Sequence, residues 1–328
     1  MTPRRRSGVV LIAAVVAIAA LVPARASAAE RYALVVTGAS GGEAYAAKYD
    51  AWRTAFVDTL RQRFGYHDDH VFILAEVESA GVLTATRENV RRVLTSLRAR
   101  ITKDDQLLLL LIGHGTSMDG EDGKFNLVGP DLSATEWADL IRPIAGRVVF
   151  VNASSASFPF LRRLAGKGRI VLTATDSSAQ QFETLFPEFF VNAFTDPAAD
   201  VDKNGRVSIW EAFSYASAGV QQAFQQKGQL ATERPLLDDT GAGIGREAQN
   251  PGPDGAIAKV TYVQPDAAVA LPSDSALAGL VTRRAELEAQ LEELRARKES
   301  MPPDQYEAEL ERIVLEIARI SVQIRTKS

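Results

Sequence analysis

Residues 107–112 read Leu-Leu-Leu-Leu-Leu-Ile, an apolar run with no polar residue alternating through it. A strand with one wet face alternates apolar and polar side chains, so an unbroken run fits a strand buried on both faces, as in a parallel sheet covered by helices on each side. Shorter runs at 32–37, 71–74, 148–151 and 170–173 have the same character. Between them the apolar spacing changes to three and four: Tyr45, Tyr49, Trp52, Phe56 and Leu60 within 44–64, with similar patterns over 87–101 and 135–141. Strand and helix in repeated alternation predict an α/β fold, a three-layer sandwich with a mostly parallel sheet. With 46% apolar residues in 328, the chain can fill such a core.

The first residues are of another kind. Arg4, Arg5 and Arg6 precede an apolar run over 9–22, and Ala26-Ser27-Ala28 supplies small residues for cleavage. That order predicts a secretory signal peptide over residues 1–28 and an exported protein, periplasmic or extracellular. The run is shorter than the roughly 20 residues a membrane helix needs, and no other stretch is apolar enough, so no membrane span is expected after cleavage. Removing those residues takes away four arginines and no acids, which moves the formal net charge from −4 to −8. An acidic mature chain argues against nucleic acid as a partner. The absence of cysteine excludes disulfides and thiolate metal sites.

The α/β domain is expected over 29–240. Residues 241–274, rich in Gly, Pro, Asp and Ala, read as a linker or edge segment with one strand at 258–263. In the tail, 275–328, Leu280, Leu287, Leu291 and Leu294 mark one helix and Met301-Pro302-Pro303-Asp304 breaks it. Tyr306, Leu310, Ile313, Ile317, Ile320 and Ile324 then follow at spacings of four, three, four, three and four, a heptad seam. The tail is therefore predicted to be an α-helical hairpin or coiled coil, with self-association or a protein partner as its use.

Residues 200–211 fit the twelve-residue EF-hand calcium loop at each defining position. Asp200, Asp202 and Asn204 offer side-chain oxygens, Arg206 its carbonyl, Ser208 a direct or water-mediated contact, and Glu211 a bidentate carboxylate, while Gly205 makes the sharp turn. Calcium is a hard ion that takes six to eight oxygens, which this spacing supplies from one short loop. Ca²⁺ is the predicted cofactor, and a helix is expected to leave the loop near Ser208.

A second group of residues lies at predicted strand ends. Gly113-His114-Gly115 follows the run 107–112, and Asn152-Ala153-Ser154-Ser155-Ala156-Ser157 follows the run 148–151. Sites in parallel α/β sheets form outside the carboxyl ends of strands, so His114 and Ser154 are expected to approach each other. These segments resemble the caspase and legumain peptidase clan, in particular its legumain-like branch. There the base is a His followed by Gly after one strand, and the nucleophile is a Cys after the next, in a stretch of the type Glu-Ala-Cys-x-Ser-Gly. His114-Gly115 matches the first element. Ala153 matches the Ala before the nucleophile, Asn152 replaces the acid, Ser154 stands where Cys should be, and Ser157 falls where Gly is usual. Segments 169–176 and 181–190 resemble the strand and helix that come next, and the likeness covers roughly 31–265.

The resemblance implies a caspase-like sandwich, with backbone N–H groups beside the base and nucleophile holding an oxyanion. A chain without cysteine is no cysteine protease, and a serine hydroxyl needs stronger base assistance, usually with an acid orienting the His. No such acid is assignable, and Tyr45-Ala46-Ala47 lacks the basic residue with which legumain grips its substrate. The expected function is an exported, calcium-binding pseudo-peptidase acting as a binding or scaffold protein. A serine-dependent hydrolase using Ser154 and His114, and a structural oligomeric envelope protein, are the alternatives.

Overall fold

A computed structural model of the chain describes residues 29–117, 122–266, 274–298 and 301–327. The signal segment expected at 1–28 lies outside the described residues.

The sheet grows outwards from its middle. β1 (Arg31–Thr37) lies beside β2 (Val71–Ala75), which carries the short β3 (Leu83–Thr84) at one edge. The chain then returns past β1 to form β4 (Gln106–Ile112). A separate small sheet follows, made of β5 (Gly115–Thr116), β6 (Lys124–Phe125) and β7 (Leu132–Ser133). β8 (Arg147–Asn152) and β9 (Arg169–Thr173) extend the main sheet beyond β4, and β10 (Leu236–Asp238) closes it. This seven-stranded sheet is parallel except for β10 on β9. Strand order reverses between β1 and β4, so the switch point of the sheet lies at their carboxyl ends.

The apolar run of β4 is buried at every residue, and its side chains divide between two cores. Leu108, Leu110 and Ile112 join Trp52 and Phe56 of α1 (Glu43–Asp58), Phe190 of α5 (Phe186–Ala193) and Phe213 of α6 (Ile209–Gln226). Leu107, Leu109 and Leu111 join Leu94 and Leu97 of α2 (Arg87–Arg100), Trp137 of α3 (Ala134–Ile141) and Phe160 of α4 (Phe158–Leu164). The layers are thus helix, sheet, helix, and each fully buried leucine contributes about 1.5–3 kcal/mol.

Local chemistry fixes where the helices begin. Thr86 caps α2 by accepting from the Asn89 N–H at 3.2 Å, and Ser133 with Glu136 forms a capping box at α3. Pro159 and Pro187 stand in the first turns of α4 and α5, where a missing N–H costs nothing. α5 has a distant cap as well. The buried Glu233 carboxylate accepts from the N–H of Leu185 at 2.7 Å and of Phe186 at 2.8 Å.

Residues 258–263 do not form the expected strand. α7 (Ala256–Lys259) is a single helical turn there, and only Tyr262 makes a bridge, with Ser208. The cause is a residue remote in sequence. The buried Asp239 accepts from the N–H groups of Gly255, Ile257 and Ala258 at 2.8–2.9 Å, which winds the backbone into a turn. Residues 241–266 pack on the domain through this knot, with Asp254, Ala258 and Val263 buried.

Beyond it, α8 (Ser275–Ala296) and α9 (Pro303–Lys327) pack on each other around Leu287, Leu294, Ile313 and Ile320. Contacts of Arg283 with Glu316 and of Lys298 with Tyr306 make the pair antiparallel. α8 reaches the domain, where its Glu293 carboxylate meets Arg147 at 2.6 Å.

Burial pushes the Glu233 carboxyl up to about 7, against the opposing pull of its two backbone N–H donors. Because this group binds its proton more tightly folded than unfolded, its contribution is fully present below the unfolded carboxyl range, near pH 4.3, and is lost as pH rises through about 7. Denaturant melts of wild type and Glu233→Gln across this window should show the wild type losing up to about 3 kcal/mol more than the variant. Parallel pH profiles of the two proteins would refute the assignment.

Candidate functional site

The turn after β1 is drawn against the small sheet. The Gly38 N–H bonds the Ile112 carbonyl at 3.0 Å and the Ala39 N–H bonds that of Asn126 at 3.1 Å. A Cβ on Gly38 would lie 2.2 Å from the Asn126 oxygen, so only glycine fits this approach. The turn carries Ser40 to the end of β4, where His114 sits. Its Nε2 lies 3.1 Å from the Ser40 carbonyl oxygen and 3.1 Å from the Tyr49 hydroxyl, and its ring meets that of Tyr45 edge-on at 4.8 Å. A carbonyl can only accept, so Nε2 carries a proton, and in the neutral ring Nδ1 holds the lone pair. Burial, then the charge of Glu183 and the neighbouring Tyr45, push the Tyr49 phenol far above its ordinary range and keep it neutral. Among the described residues no carboxylate hydrogen-bonds to His114.

β8 brings Ser154 to the same end of the sheet. Leu111 pairs with Asn152, and the Ala153 N–H bonds the Leu111 carbonyl. The two segments touch through backbone. A Cβ on Gly115 would come within 3.0 Å of Ser154 Oγ and 2.2 Å of the Ser155 carbonyl oxygen. Their functional atoms, however, have other partners. The fully buried Ser154 hydroxyl donates to Asn152 Oδ1 at 2.7 Å, and the Ser154 N–H points to the same oxygen at 3.1 Å. Ser155 Oγ accepts from the Gly115 N–H at 3.0 Å and donates to the Gly115 carbonyl at 3.1 Å. The hydroxyl that would attack and the N–H groups beside His114 and Ser154 are all spent inside the protein.

The loop 200–211 lies away from this strand end, ahead of α6. Gly205 takes φ +83°, a left-handed conformation that favours glycine. Asp200 accepts from the N–H groups of Asn204 and Gly205, which curls the loop around its own carboxylates. Glu211 Oε1 accepts from Val201 and Asp202, and its Oε2 accepts from the N–H and hydroxyl of Ser208, which completes a capping box for α6. Oxygens of Asp200, Asp202 and Glu211 lie within 4.8 Å of one another. Ligands at 2.3–2.6 Å from one calcium ion can be at most about 5 Å apart, so this cluster has the span to hold a metal. Among the described residues no cation pairs with these carboxylates; the Arg206 guanidinium turns outward over the Tyr262 ring, 4.0 Å from its centre. The other loop residues are placed differently. Ser208 is occupied with Glu211, and the Asn204 amide nitrogen donates to Asp202 at 2.8 Å and to the Tyr262 hydroxyl at 3.2 Å.

Sequence reasoning missed the residues that hold both regions. Tyr262, Gln264 and Asp266 form a latch over the loop: Arg206 reaches the Gln264 carbonyl at 2.7 Å and Asp266 at 2.9 Å, and Arg31 reaches the Tyr262 carbonyl at 2.8 Å and Asp266 at 3.0 Å. Its signal was weak, one apolar stretch in a Gly/Pro-rich segment. Tyr49 belongs to the helical core stripe and is also the histidine's partner. Asn152, noted as standing in place of an acid, proves to be the acceptor that holds Ser154.

No protein-family profile and no curated protein matches the sequence. Among solved structures, the chain is similar to protein GSU0716 from Geobacter sulfurreducens, a structural genomics target, at 14% identity and a TM-score of 0.42, covering 64% of this chain and 92% of that one.

Asn152→Ala should destabilise the protein by about 1–3 kcal/mol, because it strands the buried Ser154 N–H, while the hydroxyl can still turn to the Ser155 carbonyl oxygen at 3.1 Å. Ser154→Ala removes the hydroxyl but keeps the N–H bond and should cost less. Equal losses in urea denaturation of the two variants would contradict this arrangement.

Proposed function

We propose that the chain is an exported, calcium-binding pseudo-peptidase: a scaffold of the caspase and legumain type that binds other proteins instead of cutting them. The observation that carries this reading is the internal use of the Ser154 hydroxyl together with the Gly115 and Ser154 N–H groups. A serine nucleophile needs its proton taken by an oriented base, and here the Ser154 hydroxyl donates to Asn152 and not to the His114 ring. Oxyanion stabilisation needs free, preorganised donors, and those beside His114 and Ser154 are occupied.

Calcium is the ion that best suits the cluster. Three carboxylates offset its charge, the ligands are oxygens only, and the Arg206 carbonyl stands in the sequence position that completes such a loop. The ion would supply stability rather than chemistry, by relieving repulsion among Asp200, Asp202 and Glu211 ahead of α6. Export fits both the signal-like first residues and an ion that is plentiful outside the cytoplasm. Among the described residues no helix is long and apolar enough to cross a membrane. The hairpin α8–α9 supplies an association surface.

Thermal melts test the ion. At a calcium concentration 100 times the dissociation constant the gain should be ~2.7 kcal/mol, and Glu211→Gln should lose most of it. Identical melting in calcium and in chelator would sink the calcium reading. Chemical labelling tests the catalytic side. Native protein should not react with serine-directed probes, and labelling of Ser154 that disappears in His114→Ala would establish a serine hydrolase instead. Deleting 275–328 should leave the α/β domain folded and lower its association state in sedimentation.

A further inference from the structure

α9 carries two stripes at heptad spacing, and among the described residues only one of them has a partner. Tyr306, Leu310, Ile313, Ile317, Ile320 and Ile324 face α8. Glu311, Leu315, Ala318, Val322 and Arg325 repeat the spacing four, three, four and three, about two-fifths of a turn around the helix from the first seam. All five are exposed, and Val314 beside them is exposed too; Val314, Leu315 and Val322 keep 45%, 47% and 50% of their surface in water. Leu315, Ala318 and Val322 give the middle of this stripe the apolar residues that a two-stranded seam needs, and the hairpin uses its α8 contacts for the other seam.

The charges at the ends of this stripe identify what covers it. Glu311 and Arg325 stand seven residues on either side of Ala318, and neither makes an ion pair among the described residues. We propose that the face is the contact with a second copy of this chain, in which α9 of each subunit packs antiparallel about a two-fold axis at Ala318. In that register Glu311 meets Arg325 of the partner subunit at both ends, Val314 and Leu315 lie against Val322 of the partner subunit, and the small Ala318 side chains let the helix axes approach. A parallel pairing would set Glu311 against its own copy and Arg325 against its own, so the charges select direction as well as partner. Such a contact is self-complementary and closed, the commonest form of homo-oligomer. The inference rests on the association reading of the tail and adds its face, direction and register.

Sedimentation velocity on residues 29–328 tests it. The parent chain should show a concentration-dependent monomer–dimer equilibrium. Glu311→Arg and Arg325→Glu should each weaken the dimer about tenfold by turning two attractive exposed pairs into repulsive ones. The double exchange Glu311→Arg with Arg325→Glu should restore parental affinity, and high salt should narrow the differences. Circular dichroism should show equal helix content throughout, which separates lost pairing from lost folding. A parent that stays monomeric, single variants that dimerise like the parent, or a double exchange no better than the singles would each overturn the proposal. If deletion of 275–328 reduces association while the charge variants do not, the tail associates through another face and only this register falls.

Discussion

Burial of β4 on both faces is the constraint from which the rest of the molecule follows. Its alternate side chains enter two cores, so helices must cover the sheet on each side, and a strand so placed cannot lie at an edge. β1 and β8 flank it in parallel, and with parallel neighbours every connection must cross a face of the sheet. The carboxyl ends of β1, β4 and β8 therefore come together, and the turn of Gly38, the histidine of β4 and the serine of β8 meet there because the core leaves them no other place.

That part of the molecule was legible in sequence because it obeys local rules. Runs such as 107–112 and the spacing of Tyr49, Trp52 and Phe56 report burial directly, and strand ends follow from strand positions. The tail hairpin was legible for the same reason, since a heptad is a local pattern. What sequence could not show is where one side chain reaches across the chain to another. Asp239 bonds backbone 16 to 19 residues away, and nothing in 258–263 records that it will be wound into a turn. The Glu233 cap on α5, 47 and 48 residues distant, is invisible for the same reason.

The candidate sites divide along this line. The oxygen-bearing positions of 200–211 are a local code, and Asp200, Asp202 and Glu211 converge as that spacing requires. The direction of a hydroxyl is not local. Sequence brings Ser154 beside Gly115, but whether it faces the imidazole or Asn152 depends on how many acceptors the turn offers. Here Asn152 offers one oxygen to both the N–H and the hydroxyl of Ser154, and the serine becomes part of the turn's own framework.

The two outer strands of the main sheet have a further meaning. β3 is only 2 residues long, and β10 is 3 residues long and runs against its neighbour. An open sheet of buried, β-prone segments invites end-on joining with other sheets, and long free edges are where such joining begins. A chain without disulfides cannot restrain an edge covalently. Edges this short present few unpaired backbone groups, so strands of a second molecule find little to template on.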